Sequence, residues 1–156
     1  METKTNKTSK IIIIIISIIA VATLGSIFVN IGMDWFNLLS KPIQWIPNIV
    51  IPIVWTIIYV IFGIVLSVWV SKENISTKTI VWLIINGVLN VLWCLIFFTL
   101  HQTFGGNIII ILNLIAGIVL FINIYKSSKI YSLLTTIYPI WLSIATSLNL
   151  ALWILN

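Results

Sequence analysis

Five apolar runs, each about as long as a bilayer is thick, divide this chain. They cover roughly residues 11–30, 49–70, 79–100, 107–125 and 130–153, with short polar stretches between them. About 20 apolar residues in a helix cross ~30 Å of hydrocarbon. None of the runs shows the strict alternation of a membrane-barrel strand. The pattern predicts an all-α integral membrane protein, a bundle of five transmembrane helices in antiparallel, up-and-down order, with one domain over residues 1–156. The polar interruptions are the basic tail 1–10, read as frayed, a longer first loop at 31–48, Lys72 to Lys78, His101 to Gly106, and Lys126 to Lys129. Gly105-Gly106 reads as a turn. The lysines, isoleucine block and Ala20-Val21-Ala22 at the start also fit a cleavable signal peptide. The apolar run continues to Val29 and Ile31, which favours a span.

Composition agrees with the bilayer and adds a direction. Of 156 residues, 61% are hydrophobic and 7% charged, a balance that cannot cover the surface of a water-soluble domain. The net charge is +5, carried by lysine without arginine. Five spans put the termini on opposite sides. Lys4, Lys7, Lys10, Lys72, Lys78, Lys126 and Lys129 then share one face of the membrane, leaving Lys41 on the other. By the positive-inside rule the N-terminus is expected in the cytoplasm, and the first loop and C-terminus outside the cell membrane. Such a charge sets orientation and implies no nucleic-acid partner.

Little in the chain resembles catalytic machinery. The acids Glu2, Asp34 and Glu73 all lie outside the spans, so no carboxylate pair works in the core. His101 reads as a loop residue and Cys94 as an inert buried thiol; no metal or cofactor site is expected. The distinctive stretch is Trp35 to Tyr59, a proline-stiffened loop with aromatics that runs into a helix carrying Trp55 and Tyr59 on one face. Asparagines stand inside apolar runs at 86, 90, 113 and 149, where an amide needs a partner. Asn86, Asn90, Trp93 and Phe97 form one stripe; Tyr138, Trp141, Ala145 and Leu148 form another. Both stripes fit helix–helix packing with amides as glue, and both fit the wall of a cavity.

These residues together resemble the TspO/MBR family, the tryptophan-rich sensory proteins and the mitochondrial translocator protein. Trp35-Phe36-x-x-Leu39-x-Lys41-Pro42 is similar to the family's W-Y-x-x-L-x-K-P, and Val54-Trp55-Thr56-x-x-Tyr59 to its V-W-T-x-L-Y. Asn86-x-x-x-Asn90-x-x-Trp93-x-x-x-Phe97-Phe98 resembles its third-helix signature. Tyr138-x-x-Trp141-x-x-x-Ala145-x-x-Leu148-Asn149 follows its fifth-helix signature through Trp153 and Asn156. The departures are Phe36 for tyrosine, Asn86 for glutamine, a shifted Pro139, and Trp45-Ile46-Pro47-Asn48 where the family has W-T-P-P.

The resemblance implies a homodimer in the lipid bilayer and a pocket under the first loop for porphyrins or other flat hydrophobic molecules. Its expected ligand-binding residues are Trp35, Phe36, Pro47, Trp55, Tyr59, Asn86, Asn90, Trp93, Tyr138, Trp141, Ala145 and Leu148. It also implies a role for Trp141 in light-driven porphyrin breakdown, the alternative to a binding or regulatory function, with transport a third reading. The third helix has few small residues (Gly87 and Cys94), so a dimer would need larger side chains interlocking, or another helix such as the fourth, with Ala116-Gly117.

Overall fold

Hydrocarbon offers no partner to a backbone N–H or C=O, so each apolar run must satisfy its own peptides, and it does so as a helix. The computed structural model describes residues 4–43 and 45–156; Glu2 lies outside them. The helices are α1 (Lys4–Ile31), α2 (Met33–Leu38), α3 (Val50–Lys72), α4 (Thr77–Cys94), α5 (Thr103–Ser127), α6 (Lys129–Thr135) and α7 (Ile137–Leu155). A π-helical turn, Leu95–Thr99, prolongs α4. Five segments are long and apolar enough to cross a membrane: α1, α3, α4 with its π turn, α5, and α6 with α7. At most a third of the apolar window in any of them is buried, and 6% in α1. So much outward apolar surface belongs against lipid.

Several boundaries differ from the pattern, each for a local reason. The basic tail is not frayed from Lys4 onward; it extends α1. Lys7 Nζ donates to the Ser71 carbonyl and Lys10 Nζ to Asn74 Oδ1, both at 2.9 Å, which ties the start of α1 to the end of α3. The first loop contains α2, whose last turn is covered by Lys41 Nζ donating to the Phe36 carbonyl at 2.9 Å. The fifth span breaks at Thr136, because Pro139 has no N–H to close onto the Thr135 carbonyl. Gly105-Gly106 is not a turn but the first turn of α5. A Cβ on Gly106 would lie 2.7 Å from Phe97 Cδ2, so the glycine lets α5 approach the π turn. The chain reverses instead at His101, whose φ is 56°.

The spans close into a ring in the order α1, α3, α6–α7, α5, α4, and back to α1. Consecutive spans are therefore neighbours everywhere but at one place. Helices α3 and α4 are joined by a short turn, yet α1 lies between them as the neighbour of both. Ala116 and Gly117 are spent inside the chain: a Cβ on Gly117 would meet Leu142 Cδ1 at 2.6 Å. They offer no dimer surface. Lys7, Lys10, Lys72, Lys78, Lys126 and Lys129 mark one end of the ring, the lysine end. Helix α2, its loop and His101 mark the loop end.

Candidate functional site

Aromatic side chains fill the loop end. Phe36 from α2 packs on Phe98 with ring centroids 5.2 Å apart, Phe98 meets Phe97 edge-on at 4.9 Å, and Trp93 stands edge-on to Phe98 at 5.7 Å. The π turn makes this possible, since its extra residue turns both Phe97 and Phe98 inward. Trp35 stacks on His101 at 4.6 Å and caps the cluster. Above it the loop is pinned by Asn156, whose amide accepts from the Ser40 N–H at 2.9 Å and donates to the Ser40 carbonyl at 3.0 Å. The space directly under the first loop is therefore a packed plug.

Below the plug, toward the lysine end, lies a cavity of about 650 Å³. That is ample for a flat ligand of drug size. Its walls are α1 from Lys10 to Val21, α3 from Trp55 to Val70 and α4 from Ile80 to Asn90, with Leu120 and Tyr138 from the far side. Twelve residues of α1 correspond to roughly 18 Å of length. Because α1 keeps α3 and α4 apart, their shared space has no helix to fill it. The α1–α4 seam is tight at Gly87, where a Cβ would lie 3.3 Å from Val21 Cγ2. Nearer the lysine end the helices part. Ser17, Ala20 and Ile84 both line the cavity and face outward, with Ile84 62% exposed. The cavity is thus open sideways, toward the lipid.

The inner end of the cavity is aromatic and amide-lined. Trp55 stacks on Tyr59 with centroids 5.8 Å apart and reaches Trp93 at 6.5 Å and Tyr138 at 6.4 Å. Tyr138 Oη donates to Asn86 Oδ1 at 2.9 Å and lies 3.4 Å from Asn113 Oδ1; one proton serves both. Asn113 Nδ2 donates to Asn90 Oδ1 at 3.2 Å, and Asn86 Nδ2 to the Trp82 carbonyl at 2.8 Å. The amides thus cross-link α4, α5 and α7 while Asn86 and Asn90 also line the cavity, so glue and wall are the same residues. Asn90 Nδ2, Tyr59 Oη and Trp55 Nε1 have no hydrogen-bond partner among the described residues. The cavity wall therefore presents polar hydrogens that the protein does not use.

Five of the expected ligand-binding residues come together on this wall: Trp55, Tyr59, Asn86, Asn90 and Tyr138. Trp35, Phe36 and Trp93 belong to the plug. Pro47 is exposed in the loop, where its carbonyl accepts from the Val50 N–H at 2.9 Å and starts α3. Trp141 and Ala145 are buried on α7 and Leu148 half-buried, and none of the three lines this cavity. The cavity itself lies on the lysine side of the plug, which fills the space directly under the loop. Trp141 is 5% exposed and its Nε1 has no partner.

Sequence reasoning missed Asn107, which accepts from Asn149 Nδ2 at 3.1 Å while Asn149 accepts from Trp93 Nε1 at 3.0 Å. Its signal was available: Asn107, Ile110, Asn113, Gly117, Leu120 and Ile124 form the buried stripe of α5. Lys10, Asn74 and Phe62 were missed as wall residues because they lie outside the motif-bearing stripes.

A five-span helical ring that encloses an apolar, amide-edged cavity defines a multi-pass membrane protein. The chain belongs to the TspO/MBR family, whose model matches residues 13–154. It is 32% identical over 149 residues to the tryptophan-rich protein TspO of Archaeoglobus fulgidus, covering 94% of this chain and 97% of that one. It is 30% identical over 142 residues to the protein of that name from Chlorobaculum tepidum, with 88% and 90% covered. Protein CrtK of Rhodobacter capsulatus is 26% identical over 126 residues, 78% of each chain.

Proposed function

We propose that this protein is a membrane receptor or regulator that binds porphyrins or similar flat hydrophobic molecules within the bundle. One observation carries the reading: an apolar chamber of about 650 Å³ ends in stacked Trp55 and Tyr59 beside a buried asparagine with a spare N–H. A flat aromatic ligand gains area burial and offset stacking on Trp55, and its polar edge gains the Asn90 donor. The side opening between α1 and α4 suits a ligand dissolved in the bilayer.

The test is a titration of purified protein in neutral detergent with protoporphyrin IX, in the dark, followed by the porphyrin's absorption shift and by tryptophan quenching. Saturable binding is expected. Trp55→Phe should weaken it by up to about tenfold, since a stacking partner contributes ~0.5–1.5 kcal/mol beyond contact area. Non-saturable partitioning, identical in parent and Trp55→Phe, would remove the basis for the reading.

A further inference from the structure

Lys10 is the one cation on the cavity wall among the described residues. Lys72 and Lys78 share its end of the bundle but do not line the chamber. Its ammonium sits at the open end, donating to Asn74 Oδ1 at 2.9 Å, and Asn74 also lines the cavity. An ammonium has three donors and no acceptor. Asn74 Oδ1 accepts from Lys10, while its Nδ2 has no partner among the described residues. Toward a guest the pair therefore presents the Lys10 charge and the Asn74 amide donor. The remaining lining of the open half is almost wholly aliphatic, with Ser17 its one side-chain hydroxyl.

An ionised acid cannot settle in the aliphatic middle of such a chamber, because desolvation there outweighs anything the wall returns. At the Lys10 rim the acid keeps part of its water and gains charge-assisted hydrogen bonds. We propose that the chamber holds an anionic amphiphile in one orientation, its acidic group at Lys10 and Asn74 and its apolar body inward against Trp55 and Tyr59. The side opening between Ser17 and Ile84 allows the body to slide in from the bilayer while the acid stays level with the membrane surface. The shared chemistry is an acid on a hydrophobic body, so a porphyrin carboxylate and an anionic lipid's phosphate are both candidates. The inference rests on the reading of the cavity as a ligand chamber.

The test compares protoporphyrin IX with its uncharged dimethyl ester, titrated in neutral detergent into the parent, Lys10→Gln and Lys72→Gln, with phosphatidylglycerol as a competitor. The parent should bind the acid about tenfold tighter than the ester, the size of a partly solvated charged hydrogen bond. In Lys10→Gln the acid should fall to the ester's affinity while the ester is unchanged, a pattern that a merely unfolded chamber would not give. Lys72→Gln should keep the preference. Competition by phosphatidylglycerol that disappears in Lys10→Gln would extend the same site to lipid phosphate; absence of competition would confine it to the porphyrin acid. Equal affinity for acid and ester in the parent, or a preference that survives in Lys10→Gln, would overturn the orientation while leaving the chamber. If neither porphyrin binds the parent, the chamber reading falls and this proposal with it.

Discussion

At the level of single residues, the buried asparagines hold the bundle's register. Tyr138 is the junction, with one hydroxyl proton between Asn86 on α4 and Asn113 on α5. Removing it with Tyr138→Phe leaves two amide oxygens short of a donor. In a membrane such a bond contributes about 0.6 kcal/mol and at most ~1.7, so a modest fall in thermal stability in detergent is expected. Gly32→Ala should cost more. A Cβ at position 32 would overlap the Phe98 carbonyl, a backbone atom fixed by the π turn. Losses of about 1–3 kcal/mol are expected from such overpacking, and comparing the two melting curves checks the order. The asparagines were legible as polar groups in need of partners. Their double duty was not, because spacing along one helix says which residues share a face and never what that face meets. Trp141 and Ala145 show the same limit: their stripe is real, and it packs inside the ring instead of lining the chamber.

Among the elements, α1 differs from the rest. It buries no large apolar side chain, whereas α3 buries Ile58, Phe62, Leu66 and Trp69. Half-buried Ile14, Ile18, Phe28 and Val29 pack it against the core, and polar contacts tie it at its ends: Lys7 to Ser71, Lys10 to Asn74, and the Phe28 carbonyl accepting from Thr99 Oγ1 at 3.0 Å. A helix held in this way can form one jamb of an opening. Ala20 lies on that jamb, exposed and lining the cavity. Ala20→Trp should slow porphyrin association several-fold in stopped-flow mixing with little change in melting temperature. An unchanged association rate would place the route elsewhere. The five spans were legible because twenty consecutive apolar residues leave a backbone one solution. The π turn, the break at Thr136 and the helical Gly105-Gly106 were not, because each is set by a neighbour: Phe97 against Gly106, or the missing N–H of Pro139 against Thr135.

For the whole molecule, the order of helices around the ring could not be read from the sequence. All five spans are apolar on most faces, so periodicity does not say which pairs adjoin, and short turns suggested that consecutive helices would. The placement of α1 between α3 and α4 sets both the existence of the chamber and its position in the lysine half. The lysines also carry a proposal about orientation, with the lysine end cytoplasmic. In a Cys94→Ser background, Lys41→Cys should react with an impermeant maleimide added to whole cells and Lys72→Cys should not; the reverse pattern would invert the molecule.

The chamber's position is the claim on which the functional reading turns, and one comparison of equilibrium porphyrin titrations reaches it. Leu83 lines the cavity and is half-buried, so Leu83→Trp adds bulk where space is open. Trp141 lies outside the wall, so Trp141→Phe leaves the chamber's shape alone. Binding should drop at least tenfold in Leu83→Trp, with melting close to the parent, and stay within about twofold of the parent in Trp141→Phe. Loss of binding in Trp141→Phe with full binding in Leu83→Trp would contradict a chamber in the lysine half and return the ligand to the α5–α7 side of the ring.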